Sequence, residues 1–560
     1  SEMCIRDRFI SIRYAAAAQF MPLIKTGQPE YLLERRDRRA GQRGDLIRKF
    51  FRTVAIVTVF STAEKCLGFL YRIFLSRTIG SEGVGLYQIA LSVFAVLLTV
   101  SCSGTPITVS RLMTKYKARN QSAREGKVIT AGLLATLVVS VILFLVFFFG
   151  APAFSFLFTD ERCLPIFRII LPGLIVTSLY AVLRGVFWGN KDFLSYSIIE
   201  LLEEACMILV GIFLISGATD IFEGAYGAGV AVLVSYLFSF TLATVVFFVK
   251  GGRFRNPKSE LKPLLSSAVP ITAMRTASSL INSLVAILLP MRLVAAGMTN
   301  SEALSAFGAA FGMAMPLLFV PSTLLGSFSL VLVPEISENF YREKHEALKA
   351  DIEKALKACL FVSSLFVPAF FVLGEELGVL IFNSYEGGIY LGHSAYLMFL
   401  MSISNISTSI LNSMGFETNT LRYFLISAAI MLACIWFLPA AIGVYALLVG
   451  FTFVFGLTAL FNMRLLNRKS KLPLQYRKFT LVSFLSLLPT ALLGVLLKNL
   501  LLDVMGNFLT VLVVGGVCVA FQFLFYLVFA REDLKWILEK LSRKKRAKRA
   551  SAQPTIGTKI

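Results

Sequence analysis

Residues 64–116 read EKCLGFLYRIFLSRTIGSEGVGLYQIALSVFAVLLTVSCSGTPITVSRLMTKY. Two long apolar segments flank a short turn at Ile79, Gly80, Ser81, Glu82 and Gly83. Each is long enough to cross a bilayer, which takes ~20 helical residues. The first carries Glu64, Lys65, Arg72 and Arg77, and the second is broken by Ser103, Gly104, Thr105 and Pro106. Charges at membrane depth are costly and face a partner or a water-filled cavity. A Gly-Pro break is tolerated where it is buried in protein or lines such a cavity. The pair therefore predicts a helical membrane protein with a polar interior into which the first helix carries cations.

The rest of the chain agrees. Of 560 residues, 56% are hydrophobic and 16% charged, and mean hydropathy is +0.75. A soluble chain would carry ~25% charge. Fourteen apolar spans are expected, near 53–78, 84–106, 127–149, 163–188, 193–216, 225–249, 264–296, 303–333, 353–373, 389–414, 420–438, 442–463, 479–498 and 508–530. Forty-seven of the 55 Lys/Arg then fall in the tails and alternate loops, and two, Arg162 and Lys498, on the opposite side. The positive-inside rule puts both termini in the cytoplasm. The net charge of +22 thus reflects membrane topology and does not call for nucleic acid. The opening SEMCIRDR resembles translated adaptor sequence; Met21 reads as the start, and residues 1–20 carry no functional weight.

Weak internal echoes divide the chain. Arg77–Gly80, Gly104 and Val109–Arg111 are echoed by Leu293–Gly297, Gly326 and Val333–Glu335, and residues 183–200 by residues 411–428. The echoes lie about six spans apart, so the repeats share one orientation and are related by an axis along the membrane normal. The expected organisation is a basic N-terminal tail (1–52), an N-lobe of six helices (53–250), a linker (251–263), a C-lobe of six helices (264–465), two further helices (479–530) and a basic tail (531–560).

Six cations fall within spans: Lys65, Arg72, Arg77, Arg168, Arg275 and Arg292. Lys65 and Arg72 are two helical turns apart and share a face. Lys65, Arg72 and Arg275 suit an anionic head group in a cavity, since a guanidinium holds phosphate oxygens at two points. Arg77, Arg168 and Arg292 lie near span ends, where snorkelling competes with that role. Glu64 and the fifth-span trio Glu200, Glu203 and Glu204 are the span acids. They fit a coupling-ion site for a proton or sodium, or a counter-charge to the arginines. The helix breaks at Gly104, Pro106 and Gly326 would free backbone groups near a site. Charged residues 335–357 predict an interfacial helix between lobes. The polybasic stretch 543–550 suits anionic lipid. Eight scattered cysteines and two distant histidines offer no metal or redox motif, and no P-loop is present.

The stretch GFLYRIFLSRTIGSEGVGLYQIA, followed by SGTPITVSRL, resembles the MOP superfamily of flippases, specifically its stage V sporulation protein B and polysaccharide-export branch. That superfamily also includes lipid II flippases and MATE antiporters. The resemblance is specific over residues 60–119 and looser over 50–530. It implies alternating-access translocation of a polyprenyl-pyrophosphate-linked saccharide, either a peptidoglycan precursor or a polysaccharide repeat unit. It implies no enzyme activity and no cofactor, with cell-wall or polysaccharide synthesis enzymes as partners. Lys65 stands at a usual arginine position of the lipid II flippases, and Tyr71 where another is usual. The paired arginines of that family's second helix are absent around Leu97–Ser103. A MATE-type drug or cation antiporter is the alternative, but it would want an acidic cavity, and six span cations against four span acids lean away from it.

Overall fold

A Gly at position 80 is needed because the chain there turns through φ 66°, ψ −175°, a region open mainly to glycine. The computed structural model describes residues 29–119, 121–321, 336–469 and 477–530. Gly326, the echo at 333–335 and the tail at 543–550 lie outside them. Two compact units are separated at Thr62 and Ala63. Of the first, residues 29–62 are helical. All side-chain contacts described below lie in the second.

Helix α1 (Pro29–Cys102) holds the first two expected spans in one run bent at Gly80, and α2 (Thr105–Ala118) continues it. Then come α3 (Ser122–Phe149), the bent pair α4 (Cys163–Ile170) and α5 (Gly173–Gly189), α6 (Phe193–Ser216) and α7 (Ile221–Val249). Next are α8 (Lys258–Ala295), α9 (Asn300–Phe307, continuing as a π-turn over Gly308–Ala314) and α10 (His345–Leu377). A second bent pair follows, α11 (Tyr385–Ser394) and α12 (Leu397–Ser413), then α13 (Glu417–Phe437) and the short α14 (Pro439–Ile442). The last are α15 (Tyr445–Lys469), α16 (Arg477–Leu485) and α17 (Leu487–Phe529). Of the charged segment at 335–357, residues 336–341 form a short helix of their own, and from His345 the chain forms the first turns of α10, with buried Asp351 accepting from Asn339 Nδ2 at 2.8 Å.

Ten described helices are long and apolar enough to cross a membrane, twelve if each bent pair is one span, against the fourteen expected. Two features account for the difference. Residues Val59–Lys117 form one run of 59 residues, nearly three times a bilayer crossing. Helix α6 is of spanning length and apolar, but its three glutamates put more charge in it than the apolar stretches of the counted spans carry. Side chains such as Ile142, Val146, Phe213, Phe248, Leu488 and Leu512 are exposed, which is the belt a bilayer covers.

The repeat has a structural counterpart. The bent pairs α4–α5 (42°) and α11–α12 (58°) are the fourth and tenth spans. Helices α5 and α12 both have 17 residues. Each ends in a three-residue turn whose middle residue has positive φ, Lys191 or Gly415, before α6 or α13. The structural register therefore aligns 173–189 with 397–413, four residues away from the sequence echo of 183–200 with 411–428.

The break at Gly104 packs tightly against α8. Its N–H donates to Thr272 Oγ1 at 3.1 Å, and a Cβ there would collide with the Ala268 carbonyl. Pro106 sits in the first turn of α2, where its missing N–H costs nothing. Further along the same seam, Thr99 meets Ser279 at 3.2 Å, and Ser283 donates to the Ser92 carbonyl. At the loop end that is poor in Lys/Arg, the α1 bend meets α9. Gly308 lies against the Ser81 carbonyl and Gly85 against the Leu304 carbonyl, and Ser81 and Ser305 hydroxyls lie 2.5 Å apart. Small residues at these positions let the two backbones touch.

Candidate functional site

Helix α6 carries Glu200, Glu203 and Glu204 within five residues. In a 3.6-residue helix these i, i+3 and i+4 positions share one face of about 100°, and each acid meets a different neighbour. Glu200 accepts from Arg184 NH1 of α5 at 3.2 Å. Glu203 faces Ser239 of α7. Glu204 lies over Gly68 of α1, where an added Cβ would sit 2.9 Å from its Oε1, and within electrostatic range of Arg72. The carboxylates differ in their partners on three helices, yet Glu203 stays within electrostatic range of Glu200 and Glu204, and Glu204 of Glu64. Among the described residues, no group of three acidic, histidine or cysteine side chains is placed to hold a metal.

Glu64 of α1 faces Glu200, Lys65 and Arg184. One turn or two further along α1, Arg72 donates from NH1 to the Gly312 carbonyl at 3.1 Å. That carbonyl belongs to the π-turn of α9, where the i→i+4 ladder is interrupted and an acceptor is free for a side chain. Arg72 therefore joins the two halves of the chain, with Glu204 and Tyr87 as its electrostatic neighbours. Tyr71 Oη, Tyr180 Oη and Arg184 Nε are buried without a hydrogen-bond partner among the described residues. Unpaired polar atoms in a buried site are costly unless a ligand or water uses them.

Sequence reasoning missed Arg184. It falls inside the expected fourth span, 163–188, but is absent from the six span cations; α5 runs apolar to Gly189 and holds it about one turn inside. Its ring partner Trp188, with the guanidinium 5.7 Å from the centroid, lies at i+4, a spacing visible in the sequence.

The remaining span cations go elsewhere. Arg77 donates from Nε to the Ile381 carbonyl at 2.9 Å and from NH2 to the Leu380 carbonyl. Arg292 donates to the Trp436 carbonyl at 2.9 Å and lies 4.8 Å from that ring. Both satisfy carbonyls at helix ends, where the dipole also favours a cation. Arg168 Nε is buried and has no hydrogen-bond partner among the described residues. Lys65 is exposed. Arg275 is exposed at the middle of α8 and makes no hydrogen bond or ion pair with the described residues. It shares the α8 face of Ala268, Thr272 and Ser279, which packs on α1 and α2.

At the Lys/Arg-poor end, Arg162 donates to Glu82 at 2.6 Å and to Asp160 at 2.9 Å. Burial raises the Asp160 carboxyl, but the hydrogen bonds from Arg162 outweigh this and hold it below its ordinary value of 3.8. Lys498 pairs with buried Glu376 at 2.7 Å, tying α17 to α10.

Two solved folds resemble this architecture. The lipid II flippase MurJ in an inward closed conformation superposes with a TM-score of 0.65, over 85% of this chain and 99% of that one, at 15% identity. A multidrug resistance MATE family transporter of the MOP superfamily, in an inward-facing conformation, gives 0.61 over 73% and 96%, at 16% identity. The fold is therefore that of a polytopic MOP-superfamily transporter. The polysaccharide biosynthesis protein family matches residues 50–340, and the chain belongs to it. This makes the chain a transporter and not an enzyme. Among curated proteins it is similar to stage V sporulation protein B of Bacillus subtilis (strain 168), 27% identical over 405 residues, covering 70% of this chain and 77% of that protein.

Proposed function

We propose that this protein flips a polyprenyl-pyrophosphate-linked saccharide across the bacterial cytoplasmic membrane by alternating access, with both termini in the cytoplasm. The observation that carries the reading is Arg275, a guanidinium without a protein partner among the described residues at the middle of a spanning helix. Such a charge is too costly to leave against lipid and calls for an anionic ligand or water. Lys65 and Arg72 supply further cations from α1, and together they suit a pyrophosphate.

The acids bear on coupling. Four carboxylates, Glu64, Glu200, Glu203 and Glu204, accompany the cations Lys65, Arg72 and Arg184. A pyrophosphate that recruits Arg72 must replace Glu204 as its counter-charge. Protonation of Glu204 would release Arg72, so proton binding and substrate binding are linked, and each strengthens the other. Carboxylates that lie near one another but, among the described residues, form no group of three placed around one ion favour a proton over sodium as the coupling ion. A MATE-type drug antiporter is disfavoured by the same unpaired Arg275, which would repel a cationic drug.

The test is flipping of a fluorescent polyprenyl-pyrophosphate saccharide in proteoliposomes. Loss of a charged hydrogen bond of ~1.5–3 kcal/mol should weaken binding by roughly ten- to a hundred-fold for Arg275→Ala. Arg275→Lys keeps the charge without the fork and should lie between. Flipping of Arg275→Ala at the parental rate would remove the assignment. Because Arg275 is exposed and unpaired, the variant should fold normally.

A further inference from the structure

The end of the bundle rich in Lys/Arg holds a cavity of about 390 Å³ among α2, α3, α5, α7 and the loop after α7. It is remote from the seam of Arg72 and belongs to one half of the chain. Four cations line it, Lys117, Lys250, Arg253 and Arg255, against one acid, Glu125. Two of the four are engaged: Lys117 donates to Asn190 Oδ1 at 2.6 Å, and Lys250 pairs with Asp192 and donates to Ser195 Oγ at 2.6 Å. Arg253 and Arg255 are exposed, and their guanidiniums make no hydrogen bond or ion pair with the described residues.

The backbone sets these two arginines in place. Residues 252–257 form no regular structure, and a turn at Gly251 (φ 79°) starts them. The Arg255 N–H donates to Thr130 Oγ1 at 3.1 Å. Gly126 of α3 lets the strand of chain lie flat, since a Cβ there would be 2.8 Å from the Arg253 carbonyl. Phe254, between the arginines, folds back onto Phe247 and Phe248 with centroids 5.4 and 5.6 Å away. Phe248, Val249 and Phe254 are exposed, and Val249 is 81% exposed. The cavity thus opens beside apolar and aromatic side chains of the kind that sit at a membrane interface.

We propose that this cavity binds the phosphate head group of an anionic phospholipid, held by Arg253 and Arg255 with Lys117 and Lys250 behind them. Two free planar guanidiniums suit phosphate oxygens. The flanking aromatics suit the start of an acyl chain, which favours a lipid over a soluble phosphate. Basic pockets between spanning helices recognise anionic lipid in this way.

The test uses the full-length protein in detergent. Retained lipid is counted by native mass spectrometry during titration with phosphatidylglycerol, with phosphatidylcholine as the zwitterionic control. Phosphatidylglycerol should bind with a preference that the double variant Arg253→Gln, Arg255→Gln weakens about ten- to thirty-fold. Glu125→Gln removes the one acid of the lining and should tighten binding. Inorganic phosphate supplied alone separates the sources: failure to displace the lipid supports the head-group assignment, and phosphate binding with no phosphatidylglycerol preference overturns it. Equal retention of both lipids, or a preference untouched in a double variant that elutes as the parent does on gel filtration, also overturns it. The outcome is independent of flipping, so it stands or falls apart from the transport reading.

Discussion

Arg72 and Arg77 lie five residues apart on one helix, yet their guanidiniums meet different surroundings. Arg77 is spent on carbonyls at the end of α10, while Arg72 bridges to α9 beside a carboxylate. Which span cations exist was legible in the sequence. Their partners were not, because a carbonyl left free at the end of a distant helix has no sequence signature. Arg184 shows the same limit for acids: Glu200 is bound by a residue near the end of the fourth span that the count of span cations left out. Removing one member of a partly buried ion pair leaves the other uncompensated. Arg184→Ala should therefore destabilise the protein by about 1–3 kcal/mol, read as loss of monodisperse protein on heating, and Glu200→Gln in the same chain should restore much of it. No rescue would mean that Arg184 acts through Trp188 packing instead. At the opposite end, Asp160 titrates below 3.8 in the folded protein. A depressed carboxyl contributes stability that is present above its unfolded pKa and lost as pH falls through the folded value. Thermal stability should thus drop below about pH 4 in the parent. The Arg162→Gln variant should show less of that drop, and equal acid sensitivity would count against the cluster.

At the scale of elements, the apolar blocks and the breaks at Gly80 and Gly104 could be read directly, since length and hydropathy alone set them. The packing of α6 on α1 could not. Gly68 is the contact that brings Glu204 over α1, and a lone glycine in an apolar run looks like any other. Gly68→Ala should push the Glu204 carboxylate from its place beside Arg72 while leaving the helix intact, as Ala is the better helix former. Flipping and its response to an imposed proton gradient should both fall. In combination with Glu204→Gln the second change should add little, because neighbours that share one interaction are non-additive. Fully additive losses would show that Gly68 matters for helix packing only. The different partners of the three glutamates have a similar origin. Helix phase fixes their directions, but only the placement of α1, α5 and α7 around α6 decides what each one meets.

For the whole molecule, the two halves share a bent pair and a turn of the same length but not the same chemistry. Where α5 carries Arg184, the structural register puts Thr408 on α12, and that site is filled by Asn462 donating to Ser407 and Thr408 at 3.2 and 2.8 Å. The charged network is therefore confined to one half, while the seam between halves is closed at the Lys/Arg-poor end by Ser81, Gly85, Leu304, Ser305 and Gly308. Alternating access requires this contact to open once per cycle. Ser81→Cys with Ser305→Cys, made in a Cys66→Ser background to remove the exposed native thiol, places two sulfurs where hydroxyls lie 2.5 Å apart. Disulfide formation needs a Cβ separation near 4 Å, which side chains in such contact can meet. Oxidation should stop flipping in proteoliposomes and reduction should restore it, while either single cysteine variant should be insensitive to oxidant. A cross-linked protein that still flips at the reduced rate would show that this end of the seam stays shut throughout transport, and the path of the substrate would then have to avoid it.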